Sequence, residues 1–198
     1  MIRNMIYTHH KIYLIRHGET EWTVSGKHTG RTDIPLTEKG EEQSKALGKF
    51  LKGTGFQKVF CSPSTRAKET CRHCGLFAHA QIENDLQEWD YGKYEGITTV
   101  EIKKTNPHWS IFAQGAPDGE SVADVGHRAN RVLGMIRSTP GDIAVFSSGH
   151  FLRVLAARWL DMPANFGERF ILSPASLSIL GFERDRPAIH LWNQTHFS

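Results

Sequence analysis

Cysteine is scarce: Cys61, Cys71 and Cys74 are the only three in a chain of 198 residues. So small and odd a number argues against a disulfide framework. Cys71 and Cys74 form one CxxC without a second pair, too few ligands for a structural zinc site. Their spacing predicts reduced thiols on one face of a helix. Long hydrophobic runs are missing as well. A membrane span needs about 18 uninterrupted apolar residues, whereas Ile143–Phe146 is short and Phe151–Leu160 is broken by Arg153 and Arg158. The start, MIRNMIYTHHKIYLIRHG, has no secretory apolar segment before its charges resume. No charge sign dominates: 24 Lys+Arg against 21 Asp+Glu give +3, and the basic residues are scattered. A nucleic-acid binder would concentrate them in a stripe with interleaved aromatics. No internal repeat or linker-like stretch is found. These absences predict a soluble, cytoplasmic chain, with no nucleic-acid or membrane partner, whose residues 1–10 form a mobile extension of one domain spanning 1–198.

What is present suits a globular core: 39% hydrophobic and 23% charged residues, with 5 Trp and 11 Phe. That composition excludes a disordered chain, a collagen repeat and a coiled coil. Lys11–Arg16 (KIYLIR) reads as a buried strand ending at His17-Gly18. Residues 18–36 read as a long loop. Thr37 predicts an N-cap for a helix from Glu38 to about Lys52, stopped by Gly53-Thr54-Gly55. A short strand over Gln57–Cys61 precedes Ser62-Pro63-Ser64, which can cap a helix running to about Cys74. Leu86–Gly96 is irregular, aromatic and acidic. Helices are predicted over Thr99–Thr105 and from Ser121 to Arg137. Ile143–Ser147 is a third apolar strand leading into a helix over Gly149–Leu160. Strands Leu177–Phe182 and Ala188–Trp192 follow, around a turn at Asp185-Arg186-Pro187. Alternating strands and helices imply an α/β fold, mostly parallel, with helices on both faces of the sheet.

In such sheets ligands bind beyond the carboxyl ends of the strands. Three of those ends carry Arg16-His17-Gly18, Ser62-Pro63-Ser64-Thr65-Arg66 and Ser148-Gly149-His150. Two arginines and two histidines placed together make a cationic cup, and guanidinium forks match tetrahedral oxyanions such as phosphate. Gly18 and Gly149 would let the backbone approach a ligand, and the helix start after Gly149 would add a favourable dipole. A histidine there can attack phosphorus if one ring nitrogen is unprotonated and the other is held as N–H. The leaving group then needs a proton donor, for which Glu88, beside Trp89, is the candidate. Eleven histidines invite a metal reading, but no HxxxH or HxH pair has neighbouring carboxylates. No metal or other cofactor is expected.

Arg16-His17-Gly18-Glu19-Thr20 resembles the RHGET/S signature of the histidine phosphatase superfamily, the phosphoglycerate-mutase-like fold. The resemblance continues through His28–Thr37 (HTGRTDIPLT), Cys61–Ala67 (CSPSTRA), Leu86–Gly96 (LQEWDYGKYEG), Gly119-Glu120-Ser121 and Ser147–His150 (SSGH). It implies a three-layer α/β/α sandwich with a mostly parallel central sheet. His17 matches the nucleophile that becomes phosphohistidine; Arg16, Arg66 and His150 match the rest of the phosphate pocket, and Glu88 the general acid and base. Thr29 and Gly30 stand where relatives contact substrate through a loop. Tyr91 stands where an aromatic hydroxyl touches it. Arg153, one helical turn after His150, is placed either to reach a second anionic group or to lie solvated. Thr23 departs from the pattern, replacing an Asn that ligates phosphate in many members, and its hydroxyl offers one hydrogen bond.

Mutases of this family carry a long basic insertion between the acid glutamate and the second histidine. Here Thr98–Pro117 has Lys103, Lys104 and His108 but no Arg cluster, so water should reach a phosphohistidine. The motifs look most like the sedoheptulose-1,7-bisphosphatase-type branch. The expectation is therefore a metal-independent phosphatase of the histidine acid phosphatase type. Its partner would be a small phosphorylated metabolite, a sugar phosphate or bisphosphate, and the chain would be a monomer or homodimer. The alternatives are a cofactor-dependent phosphoglycerate mutase and a non-catalytic phospho-ligand-binding module on the same fold.

Overall fold

The computed structural model describes residues 10–197. In chain order its elements are β1 (Ile12–Arg16), α1 (Glu21–Ser25), α2 (Glu38–Leu51), β2 (Lys58–Cys61), α3 (Thr65–His73) and β3 (Ala80–Ile82). There follow α4 (Thr99–Thr105), α5 (Ile111–Gln114), α6 (Val122–Ser138), β4 (Ile143–Ser147), α7 (Gly149–Trp159), β5 (Leu177–Glu183) and β6 (Arg186–Gln194). The six strands form one sheet in the order β3-β2-β4-β1-β5-β6. β3, β2, β4 and β1 run parallel, and β5 is antiparallel to both β1 and β6.

Period-two alternation sorts the core into two layers. Ile12, Leu14, Phe60, Ile143 and Val145 face one side, packed with the apolar stripes of α6 and α7. Ile15, Val59, Cys61, Ala144 and Phe146 face the other, against Leu47 and Leu51 of α2 and Ala67 and Cys71 of α3. The three cysteines are free and buried in this second layer. Burial of each large side chain contributes about 1.5–3 kcal/mol against the ordering entropy. The result is the three-layer α/β/α sandwich. No helix among the described residues is long and apolar enough to cross a membrane.

Local chemistry places the helix starts. Thr37 Oγ1 accepts from the Gly40 N–H at 3.0 Å to cap α2. Thr98 with Glu101 and Ser121 with Asp124 form reciprocal capping boxes at α4 and α6. Four expectations need correction. Residues 18–36 are not wholly loop, because Thr20 and Thr23 close a capping box that supports α1. At α3 the Ser64 hydroxyl makes no cap bond; Asp33 does that work, accepting from Thr65 N at 2.7 Å and Thr65 Oγ1 at 2.6 Å. β6 begins at Arg186, because the turn is tightened by Arg184 at φ 58°. Of the expected extension 1–10, only His10 lies within the described residues. It is buried, its ring edge-on to Phe182 at 6.2 Å.

Parallel register carries the site. Arg16 pairs with Ser147 and Cys61 with Phe146, so β1, β2 and β4 end together. The ladder continues one step further as His17 N donates to Ser147 O and Ser62 N to Phe146 O. Gly18 serves packing rather than a ligand. A Cβ there would lie 2.5 Å from Gly40 O of α2.

Two glycines should respond oppositely to alanine. A Cβ at Gly40 would stand 2.2 Å from the Glu19 carbonyl, so Gly40→Ala should lower stability by about 1–3 kcal/mol. At the exposed Gly134 in α6 a Cβ meets nothing within 4 Å, so Gly134→Ala should raise stability by up to about 1 kcal/mol. Urea unfolding of both variants, with unchanged slope, is the check.

Candidate active site

His17 leaves the end of β1 with its ring held from one side. Nδ1 lies 2.8 Å from the Gly18 carbonyl oxygen. A carbonyl only accepts, so Nδ1 carries the proton and Nε2 keeps a lone pair. Burial, then the charges of Arg66 and Arg16, hold the imidazole well below its usual 6.5. The ring is neutral and 3% exposed. It has the form a nitrogen nucleophile requires.

Two guanidiniums act on it, Arg16 and Arg66, and a third, Arg153, stands near His150. Arg16 donates Nη1 to the Leu172 carbonyl. Gly149 makes room for it, since a Cβ there would lie 3.1 Å from Arg16 Cζ. Arg66 is fully buried. Its Nη1 donates to Thr32 O, and its Nη2 to Thr29 O and Gly30 O, each at 3.0 Å. Glu95 grips the same loop from the other side, accepting from Gly30 N and Thr32 N. Arg153 donates to Gly167 O at 3.0 Å and Glu168 O at 3.1 Å, with its guanidinium 4.6 Å over the Phe112 ring. It is therefore a held group in the cleft wall, not a solvated helix arginine. Burial pulls all three below the usual guanidinium range and the charge of Glu88 opposes it, but a guanidinium keeps its charge. Arg16 Nε, Arg66 Nε and Ser148 Oγ are buried without a hydrogen-bond partner among the described residues. Of the three residues only Arg16 lines the cleft, and its free Nε fits a bound oxyanion.

Glu88 occupies the start of α7. Its Oε1 accepts from Trp89 N at 2.9 Å and Phe151 N at 2.8 Å, and its Oε2 from His150 N at 2.9 Å. The helix dipole expected to face the ligand thus faces this carboxylate first. Oε1 is saturated, while Oε2 keeps a lone pair able to take or carry a proton. Arg128 fixes the segment. It donates to the carbonyls of Asp85, Gln87 and Glu88 and pairs with Glu120, whose Oε1 is 2.7 Å from its Nε.

The opposite wall is aromatic. Tyr91 Oη lies 2.5 Å from His150 Nδ1. The His28 ring packs 4.7 Å from Tyr91 and 5.3 Å from Trp109, and its Nε2 is 3.1 Å from Thr99 Oγ1. Phe112 stands 5.3 Å from His150. Burial, then Arg153, His28 and Arg16, keep His150 well below 6.5. Trp109, Phe112 and Trp159 all belong to the buried core, the first two packing behind His28 and His150 rather than lining the cleft.

Together these groups line an open cleft of about 180 Å³. Arg16, His17, Glu88 and His150 line it, as do Thr23, Thr29, Tyr91 and Arg153. Two expected residues do not. Arg66 lies behind the 29–32 loop and reaches His17 by its charge. Gly30 lines a neighbouring pocket of about 130 Å³ with Arg31 and Asp33. It is required by packing, as a Cβ there would be 2.5 Å from Trp89 O. Thr23 lines the cleft, but its hydroxyl proton goes to Thr20 O at 2.8 Å, so the donor expected for phosphate is already engaged. Trp22, Lys27, His28 and Leu172 also line the cleft and were not singled out from sequence. His28 opens the His28–Thr37 block and Lys27 adjoins it, a signal that was available. Leu172 carries none.

Comparison with known proteins agrees with this geometry. The sequence profile of the histidine phosphatase superfamily (branch 1) matches residues 12–195. An acid phosphatase of Mycobacterium tuberculosis is 39% identical over 178 residues, 88% of this chain and 87% of that protein. Sedoheptulose 1,7-bisphosphatase of Saccharomyces cerevisiae is 35% identical over 182 residues, 75% of this chain and 67% of that one. Among solved structures, the product of a Mycobacterium tuberculosis open reading frame superposes with a TM-score of 0.89 at 37% identity, covering 94% of this chain and 99% of that one. The alpha-ribazole phosphatase of Shigella flexneri does so with a TM-score of 0.79 at 25% identity, covering 95% and 98%. The chain belongs to the histidine phosphatase superfamily, and relatives on both sides of the comparison are named phosphatases.

Neutral buried histidines make stability depend on pH. Burial pushes His28 from 6.5 down to about 4, with Glu95 opposing. The folded value lies below the unfolded one, so the unfolded chain binds more protons between them. The contribution is therefore complete above about pH 7 and is lost as pH falls toward 4. It amounts to about 3 kcal/mol. Unfolding free energy measured from pH 7 to 4 should fall by about that much less in His28→Gln than in the wild type.

Proposed function

We propose that this protein is a metal-independent phosphatase that hydrolyses small phosphate esters through a phosphohistidine on His17. One observation carries the reading: His17 presents an unprotonated Nε2 in a cleft that also holds Arg16, His150 and Glu88. The lone pair attacks phosphorus, and the P–O bond to the leaving group breaks. Glu88 gives that oxygen a proton. Water then attacks the phosphohistidine, Glu88 takes its proton back, and inorganic phosphate leaves with the ring restored. Arg16 and His150 stabilise the equatorial oxygens in both steps, and Arg66 supports them from behind the 29–32 loop through its charge.

The favoured substrate class is a sugar phosphate or bisphosphate. Support comes from the likeness to sedoheptulose 1,7-bisphosphatase and from Lys27 and Arg153, cations that line the cleft beside the reacting groups. A second phosphate or carboxylate on the substrate would meet them. Tyr91, Thr29 and Thr23 complete the wall.

The test is phosphate release with EDTA present, from sugar bisphosphates, sugar monophosphates, 3-phosphoglycerate and p-nitrophenyl phosphate. Turnover should resist EDTA and vanish in His17→Ala; an active His17→Ala would sink the reading. Glu88→Gln should lower kcat by about 10²–10⁴-fold on sugar phosphates, and by less on p-nitrophenyl phosphate, whose anion leaves without a proton. At pH 5.5 an unshifted histidine would be about nine-tenths protonated. Because burial and two arginines hold His17 well below that range, kcat/KM should keep its neutral-pH dependence on this group at pH 5.5. A tenfold loss there, tracking a single ionisation near 6.5, would contradict the geometry.

A further inference from the structure

We infer that Tyr91 is a positioning residue that fixes the tautomer of His150, so that His150 Nε2 donates a hydrogen bond to the transferring phosphoryl group. This deepens the phosphatase reading and rests on its placing of the phosphoryl group between His17 and His150. The starting point is the 2.5 Å contact between Tyr91 Oη and His150 Nδ1. Tyr91 is 2% exposed, and this is its side chain's hydrogen bond. The hydroxyl is thus committed to His150 rather than to substrate.

Two arrangements of the shared proton are possible. In one, the phenol O–H donates to Nδ1, and the ring's single proton sits on Nε2. In the other, Nδ1–H donates to the phenol oxygen and Nε2 turns a lone pair into the cleft. The phenol is the stronger acid of the two neutral groups and a weak acceptor, so the first arrangement makes the better bond. It is also the one that suits an anion, because a lone pair on Nε2 would repel phosphate oxygens. Burial and the charge of Glu88 keep the phenol well above its usual 10.0, so its proton stays available. A doubly protonated ring is opposed by burial and by Arg153. Nε2 has no hydrogen-bond partner among the described residues, and His150 lines the cleft.

The positioning is built from one short segment. Glu88 accepts the backbone N–H of His150 at 2.9 Å, and Tyr91, three residues on, binds its ring. The segment is itself anchored: Glu120 accepts from Asp90 N and pairs with Arg128. Phe112 and His28 close on the two rings. Little freedom remains for the imidazole to turn.

The experiment uses the full-length protein labelled with ¹⁵N-histidine, with His150→Gln to assign the resonance. Long-range ¹H–¹⁵N spectra, recorded free and with vanadate, should show His150 protonated on Nε2 and accepting at Nδ1. In Tyr91→Phe the Nδ1 resonance should move to that of an unbonded nitrogen or of mixed tautomers. kcat should fall about tenfold and vanadate inhibition weaken by a similar factor, the worth of one well-placed hydrogen bond, with KM changed less than about twofold. A wild-type His150 protonated on Nδ1 would overturn the proposal. So would a Tyr91→Phe protein whose His150 spectrum and kcat match the wild type. The nitrogen spectrum does not depend on the route of phosphate release, so failure of the phosphohistidine reading, read from His17→Ala, is distinguishable from failure of this one.

Discussion

Cations withdrawn from water at one end of the sheet are the constraint on which the site depends. Taking a guanidinium out of solvent costs several kcal/mol unless its donors are met. Arg66 meets this through three carbonyls of one loop, and Arg16 through the Leu172 carbonyl. Glu88 is the one carboxylate that acts on all three guanidiniums; Asp33 and Glu95 add to it at Arg66 and Glu168 at Arg153. Burying these cations has two consequences. It leaves donors for an oxyanion, and it makes protonation of any neighbouring imidazole costly. In the proposed mechanism the nucleophile is neutral for the same reason that the site attracts phosphate.

Holding charges so close requires a rigid frame, and the frame is made of polar contacts across the carboxyl edge. Asp33 ties the loop after β1 to the start of α3. Glu95 and Arg66 clamp residues 29–32 from opposite sides. Arg128 and Glu120 lock the segment that carries Glu88 and Tyr91. The two apolar layers set where the strands end. The loop contacts set where the side chains point.

This division explains what can be read from the residues in order. β1, β2 and β4 are short apolar runs closed by Arg16-His17, Ser62-Pro63 and Ser148-Gly149, and local propensity suffices to see them. His17 and His150 follow from motif chemistry on those ends, and Glu88 from the acidic, aromatic segment Leu86–Gly96. The other features depend on neighbours remote in sequence. The Asp33 cap crosses 32 residues to Thr65, so Ser64, adjacent and of the right type, reads as the cap. Gly18 and Gly30 look like ligand-facing glycines until Gly40 O and Trp89 O are found where their Cβ atoms would be. The five-residue α1 is too short for any apolar period, and only the Thr20–Thr23 pair betrays it. Arg128 reads as one more charge on an amphipathic helix, yet its carbonyl partners come from residues 85–88.

The two histidines show how one electrostatic setting supports opposite tasks. Both rings are neutral, pressed there by burial and by shared guanidinium charge. What distinguishes them is the chemistry that Nδ1 meets. At His17 it meets a carbonyl, which can only accept, so the proton stays on Nδ1 and Nε2 is free to attack. At His150 it meets a phenol; in the arrangement we propose the phenol donates, so the proton sits on Nε2, toward the phosphoryl oxygens. On that reading nucleophile and hydrogen-bond donor are the same side chain with the tautomer reversed. Exchanging the two Nδ1 partners would disable both tasks while leaving every charge in the cleft unchanged, which is why the tautomer of each ring matters as much as its pKa.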